Sequence, residues 1–495
     1  MVAELIASRI MAPLFGSSVY VWGIVLSLTL LALSLGYFAG SALFGRIKNK
    51  LQFVLLCLTG IGFSLLLMPS IGQIQIRLCG MFSFHLALIA SALLLLIPPV
   101  LLCGILSPTL VGLMHEQRND HAAISAGRIY AVSTLGGVVL TLLTAYIFLP
   151  EWGIRFTCTA VGLLAVFIGA LMLLLYKSGN KMLLTGLMVA ALLTGFNQIK
   201  PRGKQSDLNF KTFRVSEGIM GQILVADFPT MSEGKLASER HLFVNGIIQT
   251  SYIPDNPNLN NHAYFKGIES VLGRLPKESS VLILGLGGGI LANYAQSLSL
   301  KIDAVELDQR IVDCARKYFG LHPDVSVFTQ DARGYIRTCS KKYACILIDL
   351  FRGEEPPAYF FTTESFSRMK SLLAPNGIVL MNSNGYFSGE IGAGNRAILK
   401  TMQACGLMPA VFNSSVVEAQ SSMIILAGRE ASAPQLKVDA PFVQVYPQIN
   451  ANDELLSDNR PVFDVLNHRA ALEWRKGYLQ YLLPLYEQHK IPLIL

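Results

Sequence analysis

The chain has 495 residues, 52% hydrophobic and only 15% charged, against roughly 25% charged in an ordinary soluble protein. Residues 1–200 hold 11 Lys and Arg against 4 Asp and Glu, and the remainder 29 against 28, so nearly all of the net charge of +8 sits in the apolar part. That is the pattern of cationic loops flanking membrane spans, and it excludes a nucleic-acid binder, which needs a basic and polar surface.

In chain order, residues 2–14 are apolar enough for a helix in the membrane. Spans are predicted near 20–45, 51–71, 84–114, 126–150, 155–176 and 182–197, all but the last long enough to cross about 30 Å of hydrocarbon. Pro98 and Pro99 are expected to kink or split the long third run. The last run is short and suits the interface. Arg46, Lys48 and Lys50 share one loop, Arg118 and Arg128 flank another, and Lys177 and Lys181 a third. Alternate loops hold only Arg77 and Arg155, so the richer set is expected in the cytoplasm. A full crossing by 182–197 would put the following half outside, whereas Lys200, Arg202 and Lys204 argue for inside. Glu4 and Arg9 are ionisable groups at an apolar helix, which are costly there. Gly36 and Gly40 form a small-xxx-small pair that lets two helices approach closely.

The eight cysteines show no CxxC spacing and no cluster with histidine, which fits buried thiols of a reducing compartment. No metal site is indicated, and no cleavable signal peptide is visible at the start.

The pattern changes near residue 205. GQILVADF and HLFVNGIIQT read as strands of a small β-rich lead-in over 205–258. A Rossmann-like α/β domain is predicted over 259–467. It opens on a helix near 259–273, then strands at 280–284, 301–306, 324–328, 344–349 and 376–382 alternate with helices, the signature of a doubly wound parallel sheet. A C-terminal helix closes the chain over 468–495. Ligands bind such sheets at the carboxyl ends of the strands.

The first of these strands runs into VLILGLGGGI. Gly285, Gly287 and Gly289 give G-x-G-x-G rather than the G-x-G-x-x-G of a dinucleotide site, and no Gly-Lys-Ser/Thr follows, which excludes a P-loop. Glu306 closes the next strand, where a carboxylate can accept both ribose hydroxyls. Asp331 follows the third strand, where it can accept the amine of an adenine, and Asp349 ends the fourth. Asp308 reads as a helix cap. A degenerate NAD site and an adenosyl-sulfonium site both remain open on these residues alone.

VLILGLGGGI, AVELD, QDAR and ILIDLF together resemble the spermidine-synthase family of class I transferases, and LFVNGIIQTS with Tyr264 resembles that family's lead-in to its pocket. AELIASRIMAPLFGSSVYVW and AGRIYAVSTLGGVVLT are similar to bacterial proteins that fuse a multi-span, major-facilitator-like domain to such a transferase. The resemblance implies a transmembrane helical bundle followed by a Rossmann-like fold, an inner-membrane location, and S-adenosylmethionine or its decarboxylated form as cofactor. It implies that Gly285, Gly287 and Gly289 line the cofactor, Glu306 holds its ribose, Asp331 and Ala332 meet the adenine, and Gln249 lies near the sulfonium. Tyr264 and Asp349 face the acceptor, with Arg352 beside them. Asp458 matches a recurring segment without an assigned role.

The chain departs from that pattern. Gly288 stands where aminopropyltransferases have Asp, Arg352 where they have a second Asp, and Phe265, Lys266 and Ser270 replace polar residues after the tyrosine. A polyamine needs carboxylates around it, so the thinned set favours methyl transfer to an unidentified small or membrane-delivered acceptor, with Asp349 as proton acceptor. Aminopropyl transfer to an amine is the alternative. A transporter or sensor with an inactive nucleoside-binding module is the reading of another class, and about half a dozen spans would then require a homodimer. The cytosolic origin of either cofactor places residues 205–495 on the cytoplasmic face.

Overall fold

The computed structural model describes residues 1–118, 121–175, 181–199, 211–232, 234–255, 263–351, 357–415, 417–418, 421–429 and 437–488. The chain divides into two compact units. One is Met1–Gln205 with Val215–Gln222 and Leu479–Leu495, the other Ser206–Arg214 with Ile223–Tyr478.

The first unit is helical. Its helices are α1 (Val2–Phe15), α2 (Val19–Phe44), α3 (Lys50–Leu67), α4 (Gly72–Met81), α5 (Phe84–Arg118), α6 (Ala122–Leu143), α7 (Gly153–Leu175) and α8 (Lys181–Ile199). Among the described residues, four helical segments are long and apolar enough to cross a bilayer: Val19–Phe44, Lys50–Ile71, Phe84–Arg118 and Ala122–Leu175. The last has 54 residues, more than twice the roughly 20 that one crossing needs. Its two halves meet at Gly153, where φ of 74° ends a nine-residue stretch of wider, π-type helix over Thr144–Trp152.

Of the two outcomes expected at Pro98 and Pro99, a split does not occur: α5 continues for 35 residues with Pro98, Pro99 and Pro108 inside it. A proline removes one donor and crowds one carbonyl, a local loss that neighbouring helices can absorb in a bundle. α2 is that neighbour. A Cβ on Gly36 would stand 2.5 Å from the Leu101 carbonyl oxygen, and one on Gly40 would stand 2.6 Å from that of Ile105. α3 and α7 meet in the same way, at Gly62 and Gly162.

Segment 215–222 belongs to this unit. Arg9 of α1 donates to the carbonyls of Gly218 (3.4 Å) and Ile219 (2.8 Å). Its charge is thus met by main-chain oxygens, the kind of partner an ionisable group near a membrane requires. The Glu217 side chain lies against Gly153, leaving no room there for a Cβ.

The second unit is α/β. A four-stranded antiparallel sheet in the order β1-β2-β3-β4 forms the lead-in, from β1 (Lys211–Ser216), β2 (Ile223–Ser232), β3 (Lys235–Val244) and β4 (Ile247–Tyr252). There follow α9 (Ala263–Leu272), β5 (Ser280–Leu284), α10 (Ile290–Ser297), β6 (Lys301–Glu306), α11 (Gln309–Tyr318), β7 (Ser326–Thr329), α12 (Ala332–Thr338) and β8 (Tyr343–Ile348). The chain ends with α13 (Thr363–Leu372), β9 (Leu373–Ser383), α14 (Ala393–Ala404), β10 (Met408–Asn413), β11 (Met423–Gly428), β12 (Val443–Val445) and α15 (Phe463–Gln488).

Eight of these strands make one sheet in the order β12-β10-β11-β9-β8-β5-β6-β7. The five expected strands pair in parallel. β11, β10 and β12 extend the sheet antiparallel, so it is mixed rather than wholly parallel. Alternate residues enter opposite layers. Val281 and Ile283 face one apolar cluster with Phe265, Ile268 and Ala292, while Leu282 and Leu284 face another with Ile336, Phe366 and Met402. Burial on both faces explains why the strands read as continuous apolar runs.

Two exchanges on α2 test the packing. Gly36→Val forces a side chain into the α5 backbone and should cost about 1–3 kcal/mol of stability. Gly23→Val enters open space and should leave the thermal melting of the detergent-purified chain unchanged.

Candidate active site

β5 ends in the turn Gly285–Gly289. Gly285, Gly287 and Gly289 have φ of 93°, 52° and 78°, a region where side chains are strained and glycine is free. Sterics add to this at Gly285, where a Cβ would stand 2.2 Å from the Asp349 carbonyl oxygen. Absence of a side chain therefore lets the turn lie directly against the end of β8.

The turn is fixed by hydrogen bonds. The Leu286 N–H donates to Glu306 Oε2 (3.2 Å), the Gly288 N–H to Thr250 Oγ1 (2.8 Å), and the Gly289 N–H to the Leu286 carbonyl (2.9 Å). Gly288 is also where the family pattern carries an acid. A Cβ there would meet the Thr250 methyl at 2.7 Å and the Phe319 ring at 3.0 Å, so this chain has filled that space with other groups.

A small recess is lined by Gln249, Thr250, Tyr264, Gly285, Gly287 and Asp349, among others. Five sequence-predicted site residues thus meet in one place: Gln249, Tyr264, Gly285, Gly287 and Asp349. Gly289, Glu306, Asp331 and Ala332 do not line it. Glu306 adjoins it through the Leu286 N–H, and its other oxygen accepts from the Asp308 N–H at 3.0 Å. Burial pushes its carboxyl above the ordinary range, and those N–H donors oppose the push.

Asp349 sits just past β8, its N–H bonded to the Leu284 carbonyl at 2.9 Å. Its Oδ1 accepts from Asn382 Nδ2 at 2.9 Å. Burial raises the carboxyl above the usual 3.8, and the Asn382 bond holds it back. Asn382 is only 8% exposed, and its own Oδ1 is buried with no partner among the described residues. Burial also raises the Tyr264 phenol, helped by the Asp349 charge. A half-buried carboxylate with a raised pKa beside a phenol is arranged to take a proton from a nitrogen donor.

Asp331 lies one strand further along. Its Oδ1 caps α12 through the Gly334 N–H (2.9 Å), and its Oδ2 accepts from the Tyr359 hydroxyl (2.9 Å). Ala332 follows it as a buried residue. Asp308 caps α11 through the Arg310 N–H at 2.9 Å. Asp458 accepts from Thr362 Oγ1 at 2.7 Å and from Arg333 Nη2, tying the C-terminal segment to α12 and to the chain before α13.

Lys266 corrects a sequence-based expectation. It does not enter the recess but lies exposed on α9, beside Glu269, whose carboxyl it draws down against the rise that burial causes. Helical geometry is the reason: residues two apart point to roughly opposite sides, so Tyr264 facing in turns Lys266 out. Arg352 lies outside the described residues.

Thr250 and Asn382 were missed in the sequence. Asn382 had a signal, as the first polar residue after the run IVLM near the end of β9. Thr250 had none, because its partner is a main-chain N–H 38 residues away. Thr250→Val keeps the bulk but strands the Gly288 N–H. It should lower stability by about 1–3 kcal/mol in thermal unfolding, and an unchanged melting point would show that this bond does not hold the turn.

Residues 266–413 match the family described as "Spermine/spermidine synthase domain". A probable polyamine aminopropyl transferase of Bifidobacterium longum is 32% identical over 126 residues, covering 25% of this chain and only 28% of that protein. Polyamine aminopropyltransferase 2 of Aquifex aeolicus is 24% identical over 423 residues, covering 82% of this chain and 80% of its own. A solved structure, a probable spermidine synthase from Corynebacterium glutamicum, aligns with 50% of this chain and 95% of its own at 19% identity and a TM-score of 0.39. The matched stretch carries Glu306, Asp331, Asp349, Asn382 and the glycine turn, and it is similar to that family over this part of the chain.

Proposed function

We propose that this domain transfers the aminopropyl group of decarboxylated S-adenosylmethionine to an amine acceptor. The observation that carries the reading is Asp349, half-buried in the lining of the recess beside the glycine turn and Tyr264, and hydrogen-bonded to Asn382. Asp349 accepts the proton that the acceptor nitrogen loses as its lone pair forms the new C–N bond. The electrons of the broken C–S bond return to sulfur, and a thioether nucleoside leaves. The sulfonium is already activated, so the protein supplies orientation and a proton acceptor.

The remaining roles follow the positions. Glu306 takes the ribose hydroxyls, Asp331 and Ala332 meet the adenine, and Gln249 lies near the sulfonium. Among the described residues no protein acceptor takes the Gly287 N–H, so it is open to a ligand in the recess. Aminopropyl transfer replaces the methyl transfer favoured by sequence for two reasons. The relatives carry aminopropyltransferase names, and the cation of Lys266, which argued against a polyamine, faces solvent.

Asp349→Asn should cut turnover by at least about 10²-fold while binding of 5′-methylthioadenosine persists. Full activity in this variant would remove Asp349 from the reaction. Only the ionised carboxylate accepts a proton, so the rate should fall as pH drops through its raised pKa, placing the acidic limb above the ordinary aspartate value of about 3.9. Asn382→Ala removes the bond that opposes burial and should move that limb to still higher pH.

The chain is integral to the bacterial inner membrane in this reading, and its acceptor is either a small soluble amine or one delivered from the bilayer. Segment 215–222 lies at the end of the bundle with Arg9 and Gly153. Counting Lys200, Arg202 and Lys204 with Arg9 and Arg155 nearly balances the cations of the opposite loops, so charge does not choose the side. The cytosolic origin of the donor does, and it favours the cytoplasmic face. A reporter fused after residue 495 should be active in the cytoplasm, and an extracytoplasmic signal would reject this topology.

A further inference from the structure

Tyr359 stands in the short 3-10 turn Ala358–Phe360 and is bonded to α12 from two of its atoms. Its hydroxyl donates to Asp331 Oδ2 at 2.9 Å, and its carbonyl accepts from Arg333 Nη1 at 2.8 Å. Arg333 is itself tied to Asp458, which accepts from Thr362 Oγ1 and donates its N–H to Glu364 Oε2 at 3.1 Å. The main chain of Tyr359 is therefore anchored independently of its hydroxyl.

The second bond matters for Asp331. Its Oδ1 is already spent on the cap, accepting the Gly334 N–H. A carboxylate held at one oxygen still turns about a broad torsion, while one held at both has a fixed plane. Ionised, it offers about four acceptor sites and no donor. Two of them are filled here, and the remaining lone pairs have a set direction. A carboxylate fixed in that way accepts a purine 6-amine and repels a purine 6-oxo group. Sites that hydrogen-bond a ligand group discriminate strongly against analogues lacking it.

Building on the adenosyl-donor reading above, we propose that Tyr359 is a positioning residue that fixes the plane of Asp331 and thereby makes the site select a 6-aminopurine over a 6-oxopurine. The ring is 41% exposed, so loss of its hydroxyl opens no buried hole and stability should be untouched.

The test uses the detergent-purified full chain and titration with 5′-methylthioadenosine and 5′-methylthioinosine. The wild-type chain should prefer the adenosine compound. Tyr359→Phe should lower that preference about tenfold, or about 1.4 kcal/mol, without shifting the melting temperature of the ligand-free protein. Asp331→Asn keeps a good cap but adds a donor, and it should lower the preference as well. The double variant should fall no further than Asp331→Asn. A Tyr359→Phe chain with wild-type preference overturns the proposal. If Asp331→Asn alone loses the preference, Asp331 reads the base without help from Tyr359. If neither variant loses it, Asp331 is only a cap. A wild-type chain that binds neither nucleoside defeats the adenosyl reading itself, and the role of Tyr359 falls with it.

Discussion

The contact between Gly285 and the carbonyl of Asp349 decides the geometry of this site. Two parallel strands, β5 and β8, end side by side, and the turn after one touches the main chain after the other. Any side chain at Gly285 would force them apart. With the turn held down by Thr250 and Glu306, the carboxyl of Asp349 opens on the same recess as the turn's bare backbone. The proposed transfer needs a nucleoside over the glycines and a nucleophile beside the acid, and this arrangement meets the condition that orientation imposes on such chemistry.

The acids at the strand ends look alike in the sequence but have different surroundings. Asp349 receives one amide hydrogen bond, which only partly offsets desolvation, so its proton affinity rises. Glu306 is also desolvated, yet it receives several N–H donors that work against the rise. Asp331 is committed at both oxygens, one to a cap and one to a phenol. These surroundings differ in the way the proposed roles of proton acceptor, sugar-binding acid and base-reading acid require. Positive charges sort by the same logic. Lys266 is two residues from Tyr264, but the helix turns it to water, and the recess stays free of that cation.

The helical unit solves a separate problem with the same device. Gly36, Gly40, Gly62 and Gly162 let helix backbones meet closely, as small residues do between apolar helices. Close packing along α2 also accounts for an α5 that runs through three prolines, because the neighbour is near enough to support it. Arg9 finds carbonyl partners in segment 215–222 and so enters the apolar unit without a bare charge.

Much of this was legible in the residues themselves. Apolar runs of span length, the alternation of strands and helices after residue 280, and the spacing of Gly285, Gly287 and Gly289 all depend on local periodicity, which the sequence displays directly. The acids at the ends of β6, β7 and β8 were visible for the same reason. Tertiary structure alone decided what distant segments do to one another. The antiparallel edge of β10, β11 and β12 depends on pairing with β9. The grip of Thr250 on Gly288, the bond from Asn382 to Asp349 and the bond from Tyr359 to Asp331 join residues 28 to 38 positions apart. No period in the sequence records such pairs, because they are set by which strand ends the sheet brings together.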